Sequence, residues 1–362
     1  DKVDNVYGKG TVVIADVVDK TLEVGKDGDA AYDFFNAAAS SKNNATKDAQ
    51  AAAFNSAANM GEMGGVSHAA YSVSNAMTDA VADHLSIATH GDQDKDIWAH
   101  YVHNKENIEN IRLGGLSAGY DLQYNGIVVG SDLYKKGKAT AGIALSYIEG
   151  DVTNSNIASY TKNEAEYYGA SVYGRIDNGN SAVLGDITYM HGSSDISQNN
   201  SGYKLTADAD TDVFSIGVRA EQKIEAGIGQ FVPYAGLRYM HLGTGNYANS
   251  IGMNYDVDEQ NLWLLPVGVT YSCEAQKGGW TIRPVVEAGY VWAMGDRDTN
   301  QTVSLNGAAN GFGFDTADSG SFVSRFAVEA ERANIVYSLG YEYQKGDIVK
   351  ANKWMANMTW KF

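Results

Sequence analysis

Cysteine, proline, cationic side chains and long apolar runs are all scarce in this sequence, and each shortage removes a class of protein. A single cysteine, Cys273, among 362 residues rules out an intrachain disulfide framework. Lys and Arg number 27 against 44 Asp and Glu, a formal charge of -17. This argues against nucleic acid as a partner, because phosphates need a surplus of cations. No apolar run approaches the ~18 residues of a spanning helix, so a membrane protein built on this sequence has to be a closed β-barrel. A Gly-rich phosphate loop, His-Glu-x-x-His and Cys-x-x-Cys are missing as well, and neither a catalytic centre nor a cofactor is expected. The chain opens at Asp1 without a leader segment and is expected to be a mature or truncated form.

Gly (40 residues) and Tyr (23) are plentiful, and with ample apolar side chains this is not a disordered composition. All six Trp and twenty of the Tyr lie after residue 95, whereas the stretch before it is rich in Ala, Asn, Ser and Asp. We place a boundary at the polar run Gly91-Asp92-Gln93-Asp94-Lys95-Asp96. Upstream of it, Thr11 to Val24 reads as one or two short strands and Asp29 to Met63 as helical or flexible. Val66 to Thr89 reads as a helix, because Ala69, Val73, Met77, Ala80, His84 and Ile87 recur at three- and four-residue steps. Ser67, Ser74, Thr78, Asp79, Asp83 and Ser86 fall on its other side.

From Asp96 onward the period becomes two, in twelve segments: 96–104, 118–134, 138–150, 163–176, 181–193, 208–224, 230–243, 257–273, 279–294, 320–332, 334–345 and 351–362. Their connections alternate in length. Lys135-Lys136-Gly137, Asp177 to Asn180, Glu225 to Gly229, Ala275 to Gly278 and the step at Ala333 are short. Asp151 to Lys162, Ser194 to Ala207, Thr244 to Asp256 and Gly295 to Ser319 are long. Outer-membrane barrels have this asymmetry, with tight periplasmic turns and long surface loops. Within a segment one face is apolar, as with Trp354, Ala356, Met358, Trp360 and Phe362, while Met355, Asn357, Thr359 and Lys361 share the other. By the same parity Arg175, Asp186, Arg219, Glu221, Arg238, Arg283, Glu287, Arg325, Glu329 and Glu331 fall on polar faces, a candidate lumen network in which opposite charges pair. Periodicity alone also fits a soluble sandwich that buries its apolar faces. Apolar repeats long enough to cross ~25 Å of hydrocarbon when tilted favour the membrane. Pro233, Pro266 and Pro284 fall inside predicted strands, where bulges or strand ends are expected.

Histidines give no metal site by spacing. His100 and His103 are three apart on one strand and point to opposite faces, while His68, His84 and His90 are spread along the helix. Asp27-Gly28-Asp29 lacks the rest of a calcium loop.

The order of these pieces resembles the autotransporter β-domain family (type V secretion) over roughly residues 66 to 362. The helix is followed by Ile97-Trp98-Ala99, then Gly126-Ile127-Val128-Val129-Gly130-Ser131-Asp132, then Lys138 to Tyr147, and the chain closes on Trp360-Lys361-Phe362. The resemblance implies an all-β fold, a twelve-stranded antiparallel transmembrane β-barrel (96–362) with an N-terminal α-helix in its lumen. It implies an outer-membrane translocator that anchors and exports an N-terminal passenger, with 1–65 as passenger remnant or linker and 66–95 as pore-spanning helix and connector. Val73, Met77, Ala80 and His84 would then line the pore helix. Phe362, Trp360 and Met358 would match the terminal signal read by the β-barrel assembly machinery. The implied partners are outer-membrane lipid, that machinery with periplasmic chaperones, and the chain's own passenger, around a monomeric barrel. Members that cleave themselves do so at an Asn-Asn pair in the pore helix. This helix has only Asn75, and Asn43-Asn44 lies upstream, so that cleavage is not expected. A porin-like channel, and more remotely a barrel hydrolase, are the alternatives.

Overall fold

The computed structural model describes residues 2–89 and 95–362; His90 and the polar run through Asp94 lie outside the described residues. In chain order the described strands are β1 (Asp96–Leu113), β2 (Leu116–Lys136), β3 (Ala139–Ser155), β4 (Ser159–Asn178), β5 (Ser181–Asn200), β6 (Tyr203–Gln222), β7 (Ile224–Ala226), β8 (Gly229–Thr244), β9 (Tyr247–Ala248), β10 (Asn254–Val257), β11 (Gln260–Cys273), β12 (Ala275–Lys277), β13 (Trp280–Gly295), β14 (Asp298–Leu305), β15 (Ala308–Asp315), β16 (Gly320–Arg332), β17 (Ile335–Gly346) and β18 (Val349–Lys361). β7 and β12 are short continuations at turns, and β9, β10 and the β14–β15 hairpin belong to loops. The other twelve form an antiparallel barrel, closed where β1 pairs with β18 from Asp96↔Lys361 to Ile108↔Val349.

Large apolar side chains face outward, as alternation with a polar lumen requires. Leu339, Val172, Tyr168, Trp292, Trp354, Trp360 and Phe362 are all exposed. A soluble sandwich would bury Trp354 and Trp360; here both stand on the outer surface, so the belt is a lipid-facing one. The short turns place Gly137, Gly179, Gly227 and Gly278 in left-handed backbone, φ 60–63°, where a residue without Cβ is unstrained. Ala333 takes that conformation (φ 55°) in the fifth.

The three prolines lie neither at bulges nor at strand ends. Each faces a gap in one ladder, with the register unchanged across it. Pro266 falls between the pairs Leu264↔Arg238 and Val267↔Ala235. Pro233 follows Glu221↔Tyr234 and precedes Ile224↔Phe231. Pro284 lies between Ser272↔Val285 and Ala275↔Ile282. A missing N–H is tolerated where the neighbouring strand makes no pair.

Two of the long connections read from the sequence are mostly strand, with only 156–158 and 201–202 left as turns. Asp151 to Lys162 and Ser194 to Ala207 belong to the β3–β4 and β5–β6 hairpins, which pair through Ser155↔Tyr160 and Asn200↔Tyr203. Strands β1–β6 run to 17–21 residues, well past the ~9–11 that cross a bilayer, and stand proud of it at the long-loop end.

Inside that projecting wall sit the helices α1 (Val3–Tyr7), α2 (Ala15–Val24), α3 (Ala30–Ala38), α4 (Lys47–Ala58) and α5 (Met60–Met63), followed by α6 (Val66–Leu85). The predicted strands at Thr11 to Val24 are a correction, since most of that stretch is α2. Its buried Ile14, Val17, Val18 and Thr21 fall at helical steps that the β-branched composition masks. α2 rests on the β14–β15 hairpin, where Asn310 accepts from the Val17 amide (3.1 Å). Phe34, Phe35, Phe54, Met60, Met63 and Phe314 are fully buried and join helices and wall in one apolar cluster.

Candidate functional site: a helix-filled lumen

α6 runs down the lumen. Its 20 residues rise ~30 Å at 1.5 Å each, the thickness of a hydrocarbon core. The wall makes room with small residues. Gly169 faces the helix, and a Cβ there would overlap the Met77 sulfur. Ser146 Oγ lies 3.1 Å from that sulfur. Val73, Met77, Ala80 and His84 are all buried, on the face the sequence assigns to the pore helix. The helix stops at Leu85, four residues short of the predicted Thr89.

Both ends of α6 are held. At the entry Gly65 adopts left-handed backbone, φ 61°, and Asn163 Nδ2 donates to the Gly64 carbonyl (2.8 Å). Glu62 accepts from the Ser67 hydroxyl (2.8 Å) and, more weakly, its amide (3.3 Å), capping the first turn. Burial pushes the Glu62 carboxyl up to about 7, and the Ser67 bonds only partly offset this. At the exit Arg175 Nη1 donates to the Leu85 carbonyl (2.6 Å). Glu221 accepts from the Ser86 hydroxyl (2.9 Å) and the Ile87 amide (3.0 Å).

Along its length the helix is tied to the wall by charge. Arg325 joins Asp83 of the helix (2.5 Å) to Glu287 of the wall (2.8 Å). Lys353 lies between Asp79 (3.8 Å) and Glu342 (3.5 Å). His68 Nε2 meets Glu106 (2.7 Å) while Nδ1 donates to the Thr316 carbonyl (2.7 Å). His84 Nε2 donates to Asp132 (2.9 Å). Sequence parity brings Arg175, Glu221, Glu287 and Arg325 into this set. Arg238 with Asp186 (2.5 Å) and Arg283 with Glu329 (2.5 Å) pair within the wall instead. Arg219 pairs with Glu221 (3.0 Å) and lies over the Tyr234 ring. Lys353, Glu106 and Asp132 are further helix partners, outside the set expected from sequence parity. Lys353 was within reach, since it shares the inward parity of Met355, but nothing in the sequence pairs it with Asp79.

Beside the helix a cavity of about 180 Å³ remains, lined by Asp79, Asp83, Asp186, Arg238, Glu287 and Arg325 among others. Its opposed charges pair across it, Arg325 with Asp83 and Glu287 and Arg238 with Asp186, instead of being buried alone.

The model of the autotransporter beta-domain family matches residues 97–344. The chain belongs to the autotransporter β-domain family. It is an outer-membrane translocator barrel for passenger export.

Among solved structures it is similar to the translocator domain of autotransporter NalP from Neisseria meningitidis (14% identity, TM-score 0.60, 81% of this chain and 96% of that one). It is also similar to the transport unit of the autotransporter AIDA-I from Escherichia coli (15%, 0.58, 80% and 97%) and to the beta domain of the Bordetella autotransporter Brka (16%, 0.57, 75% and 100%). At these identities the likeness is one of fold. A comparison with curated protein sequences finds no match.

Proposed function

We propose that this autotransporter barrel anchors its passenger with the lumen already sealed, and that it acts by threading and holding the chain without catalysing a reaction. The observation that carries this is α6, which occupies the lumen between Glu62, Asn163 and Gly65 at one rim and Arg175 and Glu221 at the other. In this reading 66–95 links passenger to barrel and 96–362 anchors it, while 1–65 is passenger remnant or linker, now folded as a cap over the surface mouth. The cap is held by strand side chains: Asn200 donates to the Ala53 carbonyl (2.8 Å), Gln198 to Ser56 (2.9 Å) and Tyr255 to Ala57 (2.6 Å). The ion pairs of the lumen hold the helix without a greasy seal. The barrel works as a monomer, delivered by periplasmic chaperones to the β-barrel assembly machinery, which reads Met358, Trp360 and Phe362.

Single-channel conductance in planar bilayers tests the seal. The full chain is expected to conduct weakly, and a chain lacking residues 1–95 to conduct strongly. High conductance in both would overturn the plug and leave a porin-like channel as the better reading.

A further inference from the structure

We propose that the β2–β3 turn and a trough beside it on the outer wall bind one anionic phospholipid of the periplasmic leaflet. Its phosphate lies on Lys135, Lys136 and Lys138, and one acyl chain lies along Ala141, Gly174 and Gly185. The inference rests on the barrel's place in the membrane, not on export. In a chain of formal charge -17, three cations crowd into the four residues from Lys135 to Lys138. Their turn is one of the short ones, so it stands at the periplasmic rim. Lys136 and Lys138 are exposed and Lys135 is half-buried. Among the described residues none of the three is in an ion pair. Lys138 Nζ donates to the Asn178 side chain of the neighbouring turn (3.3 Å), which holds it over the β3–β4 edge of the trough.

A bulge aims this end of β2. The register shifts between Asp132 and Tyr134, after which Tyr134 pairs with Ala141 and Lys136 with Ala139. Ala139 and Ala141 share the parity of the exposed Ile143 and Leu145, so the extra residue brings Tyr134 and Lys136 round to the lipid side. From Tyr134 a row of small residues then crosses the wall, Ala141 pairing with Gly174 and Gly174 with Gly185. The pairs on either side are Val172↔Ile187 and Ile176↔Val183, all four exposed. Two glycines between β-branched ridges leave an open trough of about 860 Å³, which begins at Ala139 and reaches Leu237 and Trp263. Packing within the barrel does not fill it, since a Cβ on Gly174 would meet the Thr140 carbonyl alone (3.2 Å).

An acyl chain laid in this trough touches both ridges at once, which a chain on a convex wall cannot do. The trough opens beside the lysines, whose long stems let the ammonium groups reach the headgroup plane. There they favour a lipid of net negative charge, because a zwitterionic headgroup brings an ammonium of its own.

The test uses the full chain folded in detergent, with heat-modifiable gel mobility reporting the fold and native mass spectrometry reporting retained lipid. The probes are phosphatidylglycerol and phosphatidylcholine with the same acyl chains. Expected is one phosphatidylglycerol held about 10-fold more tightly than phosphatidylcholine, the effect of one or two lysines at a headgroup. The triple variant Lys135→Gln, Lys136→Gln, Lys138→Gln should hold the two lipids equally. Lys345→Gln with Lys350→Gln, a facing pair at the opposite rim, should keep the preference. Gly174→Leu, which fills the trough, should weaken both lipids alike. If it does not fold, the triple variant decides alone, since its substitutions lie at an exposed turn. Equal retention of the two lipids by wild type, or a preference that survives the triple variant or is lost with Lys345 and Lys350, would overturn the site. Unchanged retention by folded Gly174→Leu would overturn the trough.

Discussion

At the scale of single residues, Glu62 is where burial and capping compete. Its carboxylate satisfies the first turn of α6 through Ser67, yet desolvation wins and its pKa stands at about 7. A folded-state pKa above the unfolded one, near 4.5, means the folded cap binds the extra proton within that window. Stability is therefore full below about pH 4.5, falls as pH rises to about 7, and levels off above it. The shift corresponds to about 3 kcal/mol at most. Hydrogen exchange of the α4–α6 amides, corrected for intrinsic rates, should lose up to ~100-fold protection between pH 5 and 8. Glu62→Gln should keep its protection across that range; an equal loss in the variant would place the titrating group elsewhere. Neither Glu62 nor the His68–Glu106 pair was legible in the sequence, since a shifted pKa depends on which chain segments bury the group. Arg325 and Glu287 were legible because a period of two assigns every strand residue to lumen or lipid.

At the scale of elements, the same rule explains what could and could not be read. Strands β16 and β17 were placed to within a residue or so, because apolar and polar faces alternate through them. The outer ends of β3 to β6, four to seven residues each, read as loops in the sequence because there the alternation is lost. Above the bilayer both faces are largely polar, and inward residues such as Gln198 and Asn200 hydrogen-bond the helices. The lumen helix was legible from its three- and four-residue steps. Its seat was not, since Gly169 gives no hint in sequence that it faces Met77. That contact makes a prediction. Gly169→Leu overpacks the lumen at a cost of ~1–3 kcal/mol and should push α6 aside while the barrel still folds, so that conductance rises toward that of the chain lacking residues 1–95. Combining it with Met77→Ala should restore closure. A double variant as leaky as Gly169→Leu alone would show that this contact does not seat the helix.

At the scale of the whole molecule, closure of the barrel depends on its last strand finding its first. β18 completes the ring with β1, and the Phe362 amide donates to the Lys95 carbonyl (3.0 Å) beyond the last ladder pair. Met358, Trp360 and Phe362 lie on the outer face, all substantially exposed. They therefore make lipid contacts once the barrel is inserted and remain available to be read before it is. The two roles separate by experiment, because lipid packing acts wherever the barrel sits in an apolar phase, whereas a signal acts only where something reads it. Phe362→Ala should refold in detergent with a yield within about twofold of wild type, since an outward side chain at the strand terminus buries little against protein. In cells the same variant should reach the outer membrane at roughly a tenth of the wild-type level, measured as heat-modifiable barrel in membrane fractions. Equal losses in detergent and in cells would make the terminal aromatics packing residues and remove the assembly machinery from their interpretation. A loss confined to cells would make the final strand both the closing edge of the barrel and the address by which it is inserted.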